Sequence, residues 1–367
     1  MKKRGFAGAV LLALFLFFVC GATVCAADPI DTERVNVTVP DGIREYLPEN
    51  TENFAASEVL ERFDFNFFTE TFMRIVAEAA PEAARNFAML LGVLILCAVL
   101  GIVKRTVASS GLAISMDLVG MVCIASAVFA VTEGAFGLAE EFVSGIAAFM
   151  KKITPTMSGF MIVRGEITSA AVISGVIFTA LAVLEQTVAR VLFPLIRLSL
   201  CMSVVSTVFG IPGISGLAPV IKKMITLVFG FVTTSLSAVL MFQRIIAKST
   251  DSLAMRGIRF AVGQFVPFVG GAVNEALSTV MGGIGTIKAA TGVVCAVIVC
   301  LIAAVPVVRT LLQKMFLEWI AVCAGILGLA SEGKLMGDIA SYLGYMAAVM
   351  AISAVFFILA LSMMATV

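Results

Sequence analysis

The chain contains no histidine. That absence removes the commonest general base, the Ser-His and Cys-His nucleophile pairs, and most zinc sites. It also has no H-E-x-x-H, no G-x-S-x-G and no Walker A run, so zincin and serine-hydrolase chemistry lack their residues and any energy from ATP must come from a partner. The eight cysteines include no C-x-x-C pair. Six of them (Cys97, Cys123, Cys201, Cys295, Cys300 and Cys323) sit inside apolar runs, where a thiol behaves as a small hydrophobe. Charge is scarce as well. Only 13% of 367 residues are Asp, Glu, Lys or Arg, whereas a soluble domain needs about a quarter to cover its surface. The Lys and Arg residues beyond position 103 are scattered as singles and pairs, which leaves no basic face for nucleic acid.

What fills the sequence is hydrocarbon: 60% of residues are apolar, spread from residue 86 to the end, and the solvent they ask for is lipid. The N-terminus reads as a cleavable signal peptide. Lys2, Lys3 and Arg4 form a positive start, Phe6 to Val19 an apolar core too short to span comfortably, and Ala26 or Ala27 a small-residue cleavage site. From Asp28 to Arg85 there follow thirteen acids, five arginines and no lysine. Pro40, Asp41-Gly42 and Pro48 mark the first part of this arm as loop. Ala55 to Ala84 has helix-forming composition interleaved with phenylalanines, suited to lying on headgroups, docking a partner or packing on the chain's own membrane domain.

Asn86 to Val103 is long enough to cross a hydrocarbon core of about 30 Å and ends at Lys104-Arg105. With an exported arm before it, the basic pair orients this helix from outside to cytoplasm. Leu112 to Thr132 should return. Thr168 to Leu184, Val191 to Ile211, Met224 to Met241, Thr291 to Val308, Leu311 to Ala330 and Ile339 to Met364 are further candidates. The expected fold is therefore all-α: a multi-spanning transmembrane helical bundle with a cleavable signal peptide (1–26), a partly helical extracytoplasmic arm (27–85) and a membrane domain of seven to eight spans (86–367). Thr154-Pro155-Thr156 and Gly210 to Gly213 read as loops between spans.

Charge at mid-bilayer costs about 2.5–3.5 kcal/mol on insertion scales, so charged residues in apolar stretches should face protein or water. Glu185 and Arg190 are close enough along one helix to share a polar pocket, and Asp117, Arg197, Glu275, Lys288 and Glu318 fall within or beside other apolar stretches. The segment Phe260 to Gly285 carries Pro267, Gly270, Gly271, Asn274, Glu275, Gly282, Gly283 and Gly285, and reads as a broken helix lining a cavity or buried in the bundle. Just before it, Asp251-Ser252 can cap a short interfacial helix carrying Arg256 and Arg259. The candidate pathway residues are thus Glu185, Arg190, Pro267, Gly270, Gly271, Asn274, Glu275 and Lys288. No catalytic, cofactor or metal residue is expected.

The run from Gln243 to Arg256, continuing at Phe265-Val266-Pro267-Phe268-Val269-Gly270-Gly271-Ala272-Val273-Asn274-Glu275-Ala276, resembles the signature of the stage III sporulation protein AE family. The order of elements around it is similar too, from signal peptide and polar arm to the Gly-rich stretch before Lys288. The resemblance implies a mother-cell membrane protein of endospore formers, a non-enzymatic subunit of a channel or secretion-like complex between mother cell and forespore, with a separate ATPase subunit. The alternative from a different class is a self-contained secondary transporter in which Glu185, Arg190, Glu275 and Lys288 bind a small solute or proton.

Overall fold

The computed structural model describes residues 34–36, 41–47, 53–55, 65–106, 110–209, 220–221, 223–239, 241–242, 245, 251, 256 and 270–366. The signal peptide, Pro267 and the Gly210 to Gly213 turn lie outside them. The arm contributes two short antiparallel strands, β1 (Arg34–Asn36) and β2 (Asn53–Ala55), with Val35 opposite Phe54, and a 3-10 turn at Asp41–Tyr46. Apart from residues 47, 164–166 and 327–329, everything else described is helical: α1 (Phe65–Thr106), α2 (Ser110–Val163), α3 (Ile167–Thr187), a π turn (Val188–Leu192), α4 (Phe193–Phe209), α5 (Lys223–Val239), α6 (Gly270–Ile326) and α7 (Ala330–Thr366).

Five of the described helical stretches are long and apolar enough to cross a membrane: 66–104, 118–163, 167–207, 287–326 and 330–365, with α5 a shorter apolar helix. The fold is all-α and membrane-like, as expected, but the span list changes. Thr168 to Leu184 and Val191 to Ile211 were expected as two helices, and the structure carries the chain through the π turn without a loop. Thr291 to Val308 and Leu311 to Ala330 are likewise joined in α6. Arg309 does not open a turn there, because an isolated charge on a helix face leaves every backbone hydrogen bond in place, and Lys314 is neutralised by Glu318 at 3.2 Å, one turn on. Pro155 sits inside α2 and not in a loop, and Gly270 to Gly285 form the first turns of α6 where a break was expected. Glycine in a helix costs only about 1 kcal/mol relative to alanine, which packing readily offsets.

The tight turns set the topology. Gly165 (φ 83°) reverses the chain between α2 and α3, and Gly328 (φ 77°) between α6 and α7. Both adopt the left-handed conformation that a side chain disfavours. The α6–α7 hairpin is the most extensive pairing in the bundle. It closes so tightly at Gly292 that a Cβ there would overlap that of Ala365, and Lys314 lies across Gly344. From Ala290 to Ala304 every α6 residue is buried, so this stretch is the axis of the bundle, enclosed by α2, α7 and the other helices. α1 runs parallel to α6 at its edge: Phe87 stacks on Phe316 and Trp319, with ring centroids 5.4 and 6.5 Å apart. The 3-10 turn of the arm docks on α1, where Arg74 meets Glu45 at 2.6 Å and lies over the Tyr46 ring, and the Tyr46 hydroxyl donates to Glu78.

Candidate functional site

Two polar systems run through the apolar bundle. The first follows the antiparallel seam between α2 and the α3–α4 helix. Ser158 and Ser174 share a hydrogen bond at 2.5 Å, Lys151 pairs with Glu185 at 3.2 Å, and Arg197 meets Glu140 at 3.4 Å and Glu133 at 3.7 Å while its guanidinium lies 4.7 Å over the Phe136 ring. Glu185 therefore pairs across the seam with Lys151. The pocket expected between Glu185 and Arg190 is not formed, because the intervening π turn carries Arg190 to the exposed surface.

The second system closes the Gly165 end of the bundle. Lys288 of α6 is fully buried, and its ammonium donates to Glu166 at 2.7 Å. The other oxygen of Glu166 lies 3.6 Å from Arg164, whose guanidinium packs against the bare backbone of Gly285. An ammonium taken out of water is tolerated only with a close counter-charge, and Glu166 supplies it from the α2–α3 turn. Asp251 completes this end. Its two carboxylate oxygens accept the backbone N–H groups of Thr168 and Ser169 at 2.9 and 2.7 Å, capping α3. Burial pushes that carboxyl upward, but the hydrogen bonds from Ser169 and Thr168 outweigh it and hold the group below the usual aspartate range. The sequence assigned Asp251 to the start of its own short helix, and the structure gives its carboxylate to α3.

Among the described residues, Lys288 is the expected pathway residue that the structure places in the charge network of the Gly165 end, whereas Glu185 belongs to the other system. Gly270, Gly271, Asn274 and Glu275 lie in the opening turns of α6, and their side chains fall outside the described residues. Glu166, Arg164 and Tyr342 were missed by sequence reasoning. Tyr342 is fully buried in α7, with its hydroxyl within 3.1 Å of those of Ser199 and Ser203 in α4. No group of three or more His, Cys, Asp or Glu residues able to hold a metal occurs among the described residues. Both systems contain paired charges that bind helix to helix.

Comparison with known proteins identifies similar chains. A curated relative, the stage III sporulation protein AE of Bacillus subtilis (strain 168), is 25% identical over 348 residues, covering 93% of this chain and 86% of the relative. No solved structure matches. The profile described as stage III sporulation protein AE matches residues 53–367, which takes in the second strand of the arm and every helix of the bundle, so the chain belongs to the stage III sporulation protein AE family.

Proposed function

We propose that this sporulation membrane protein is a non-enzymatic subunit of a channel or secretion-like complex. It sits in the mother-cell membrane around the forespore, with its acidic arm in the space between the two membranes, and supports forespore development after engulfment. The observation that carries the reading is the family match over residues 53–367 on a bundle with five membrane-length helices. Two further features support it: described charged residues form interhelical ion pairs and a helix cap, which scaffold a bundle, and the chain has no Walker A run, which is consistent with a separate ATPase partner. Deletion of the gene is expected to stop sporulation after engulfment, and normal spore yield from the deletion strain overturns the proposal. Reconstituted alone in liposomes, the protein is expected to pass no solute, since a self-contained transporter would need no partner.

A further inference from the structure

The heights of the helices in the bundle are inconsistent with lipid surrounding all of it. At 1.5 Å per residue, the 57 residues of α6 extend about 85 Å and the 54 of α2 about 80 Å, against a hydrocarbon core of about 30 Å. More than half of each helix must lie outside that core.

The outward-facing side chains show which part. Along α1 they are Glu70, Arg74, Glu78, Glu82 and Arg85 on the N-terminal side, then Met89, Ile95, Leu96, Val99 and Ile102 beyond. Along α2 the order is reversed, as an antiparallel partner requires. Leu118, Val119, Val122 and Phe129 face outward first, and from Glu133 the outward positions become polar or small through Glu140, Glu141, Ser144, Lys151 and Lys152. The two changes occur at one height. Cys97 of α1 donates to the carbonyl of Gly120 in α2, so ten residues back and ten residues on, Phe87 stands opposite Ala130. Two more helices mark the same level: Arg197 of α4 reaches Glu133, and α6 contributes Phe316 and Trp319, stacked on Phe87. Arginines and a Trp-centred aromatic cluster at one level are what a membrane–water interface selects. Met73 and Phe178 are exposed above that level as single apolar residues, and Ile162, Val163 and Ile167 are exposed together at the Gly165 turn.

We propose that the outer boundary of the hydrocarbon core passes through Arg85, Glu133 and Arg197, and that the bundle on the arm side of this plane stands in water as a helical column about 45 Å tall, the length of Glu133 to Val163. Gly145 of α2 lies against Ile302 of α6, so the buried apolar stretch of α6 from Thr291 to Val308 is at the height of the polar half of α2. It is the dry axis of the column and not a membrane crossing. The Lys288–Glu166–Arg164 network lies at the Gly165 end of the column, beyond which α6 continues to Gly270. This inference goes beyond the functional reading, since it fixes how much of the chain meets lipid and applies equally to a transporter.

The test is thiol labelling of the full-length chain produced in vegetative cells, whose protoplasts leave the outer face of the membrane open to a membrane-impermeant maleimide, after fractionation has shown the protein in the membrane pellet. Ser144→Cys and Ala148→Cys on α2, and Gly282→Cys on the exposed side of α6, are expected to label without permeabilisation. The native exposed thiols Cys123 and Cys201 lie below the plane and are expected to stay unlabelled until detergent is added. The Ser144→Cys and Ala148→Cys arm is decisive, because Gly145 lies against Ile302 and lipid around Thr291 to Val308 would enclose both positions. If Gly282→Cys reacts only after permeabilisation, or Ser144→Cys and Ala148→Cys react only in detergent, the column is overturned. Either result leaves the sporulation phenotype, and hence the functional proposal, to be judged separately.

Discussion

Helices α1 and α6 carry comparably apolar stretches and run parallel at the edge and centre of one bundle, yet their surroundings are opposite. Of the most apolar window of α1, 17% of residues are buried, and of that in α6, 94%. Hydropathy reports that a residue avoids water and says nothing of whether lipid or protein replaces it. Glycine separates the two cases more sharply than the large side chains do. Gly92 of α1 has open space around it, while Gly292 of α6 is pressed against Ala365. A helix that faces lipid tolerates bulk at any outward position, whereas a helix at the axis of a packed bundle needs a missing side chain wherever a neighbour approaches closely.

The strongest challenge to that contrast is to break the charge at the buried end of α6. Lys288→Ala leaves Glu166 with only the longer contact to Arg164. It is expected to lower stability by about 3 kcal/mol, the lower end of the range for a broken buried pair, read as a fall in the thermal midpoint of the detergent-purified protein. The double change Lys288→Met with Glu166→Gln should recover most of that loss. Next in size is the glycine pair. Gly292→Ala is expected to destabilise by about 1–3 kcal/mol through overpacking, with recovery on adding Ala365→Gly, while Gly92→Ala should be neutral or slightly stabilising through helix propensity. Equal midpoints for the two alanine variants would erase the distinction between the helices. A smaller effect follows from Tyr342→Phe, which removes the hydroxyl that joins α7 to Ser199 and Ser203. The expected loss is about 1 kcal/mol in the same assay.

The smallest effect concerns the arm, which is held on the polar half of α1. Burial, then the hydrogen bond and charge of Glu78, push the Tyr46 phenol up to about 12 from its usual 10. The folded state binds this proton more tightly than the unfolded one, so the stabilisation is present below pH 10 and is lost as pH rises from there through 12. Limited proteolysis between residues 47 and 64 should therefore be unchanged up to about pH 10 and accelerate above it. A Tyr46→Phe protein is expected to show no such acceleration.

Much of this was legible from residues alone. The scarcity of charge and the first apolar run gave the membrane class, the helical content and the leading span, and the Gln243 to Ala276 run gave the family. Continuity was not legible. Arg309 and Lys314 resemble the charged ends of two spans, and only the structure shows a helix passing through them, with Lys314 laid over Gly344 and paired to Glu318. Nor could spacing find the partner of Lys288. Glu166 is 122 residues away in sequence, and no periodicity within a segment encodes which distant turn will fold against it. Glu185 and Arg190 are misleading for a related reason: proximity along one helix is not proximity in space, and Glu185 pairs with Lys151 of another helix.

The π turn between α3 and α4 has a consequence for how the sequence can drift. Ser174 and Glu185, eleven residues apart, both face α2, as three ordinary helical turns require. Arg197 also faces α2, but it lies twelve residues beyond Glu185. The surplus residue is taken up at Val188–Leu192, where the Phe193 N–H reaches back five positions to the carbonyl of Val188. This turn is a one-residue reservoir of phase. Deleting Ala189 would return the segment to ordinary helix with Glu185 and Arg197 still in step, while the same deletion in the uninterrupted run of α2 would swing everything after it by about 100° and scramble every contact along the seam.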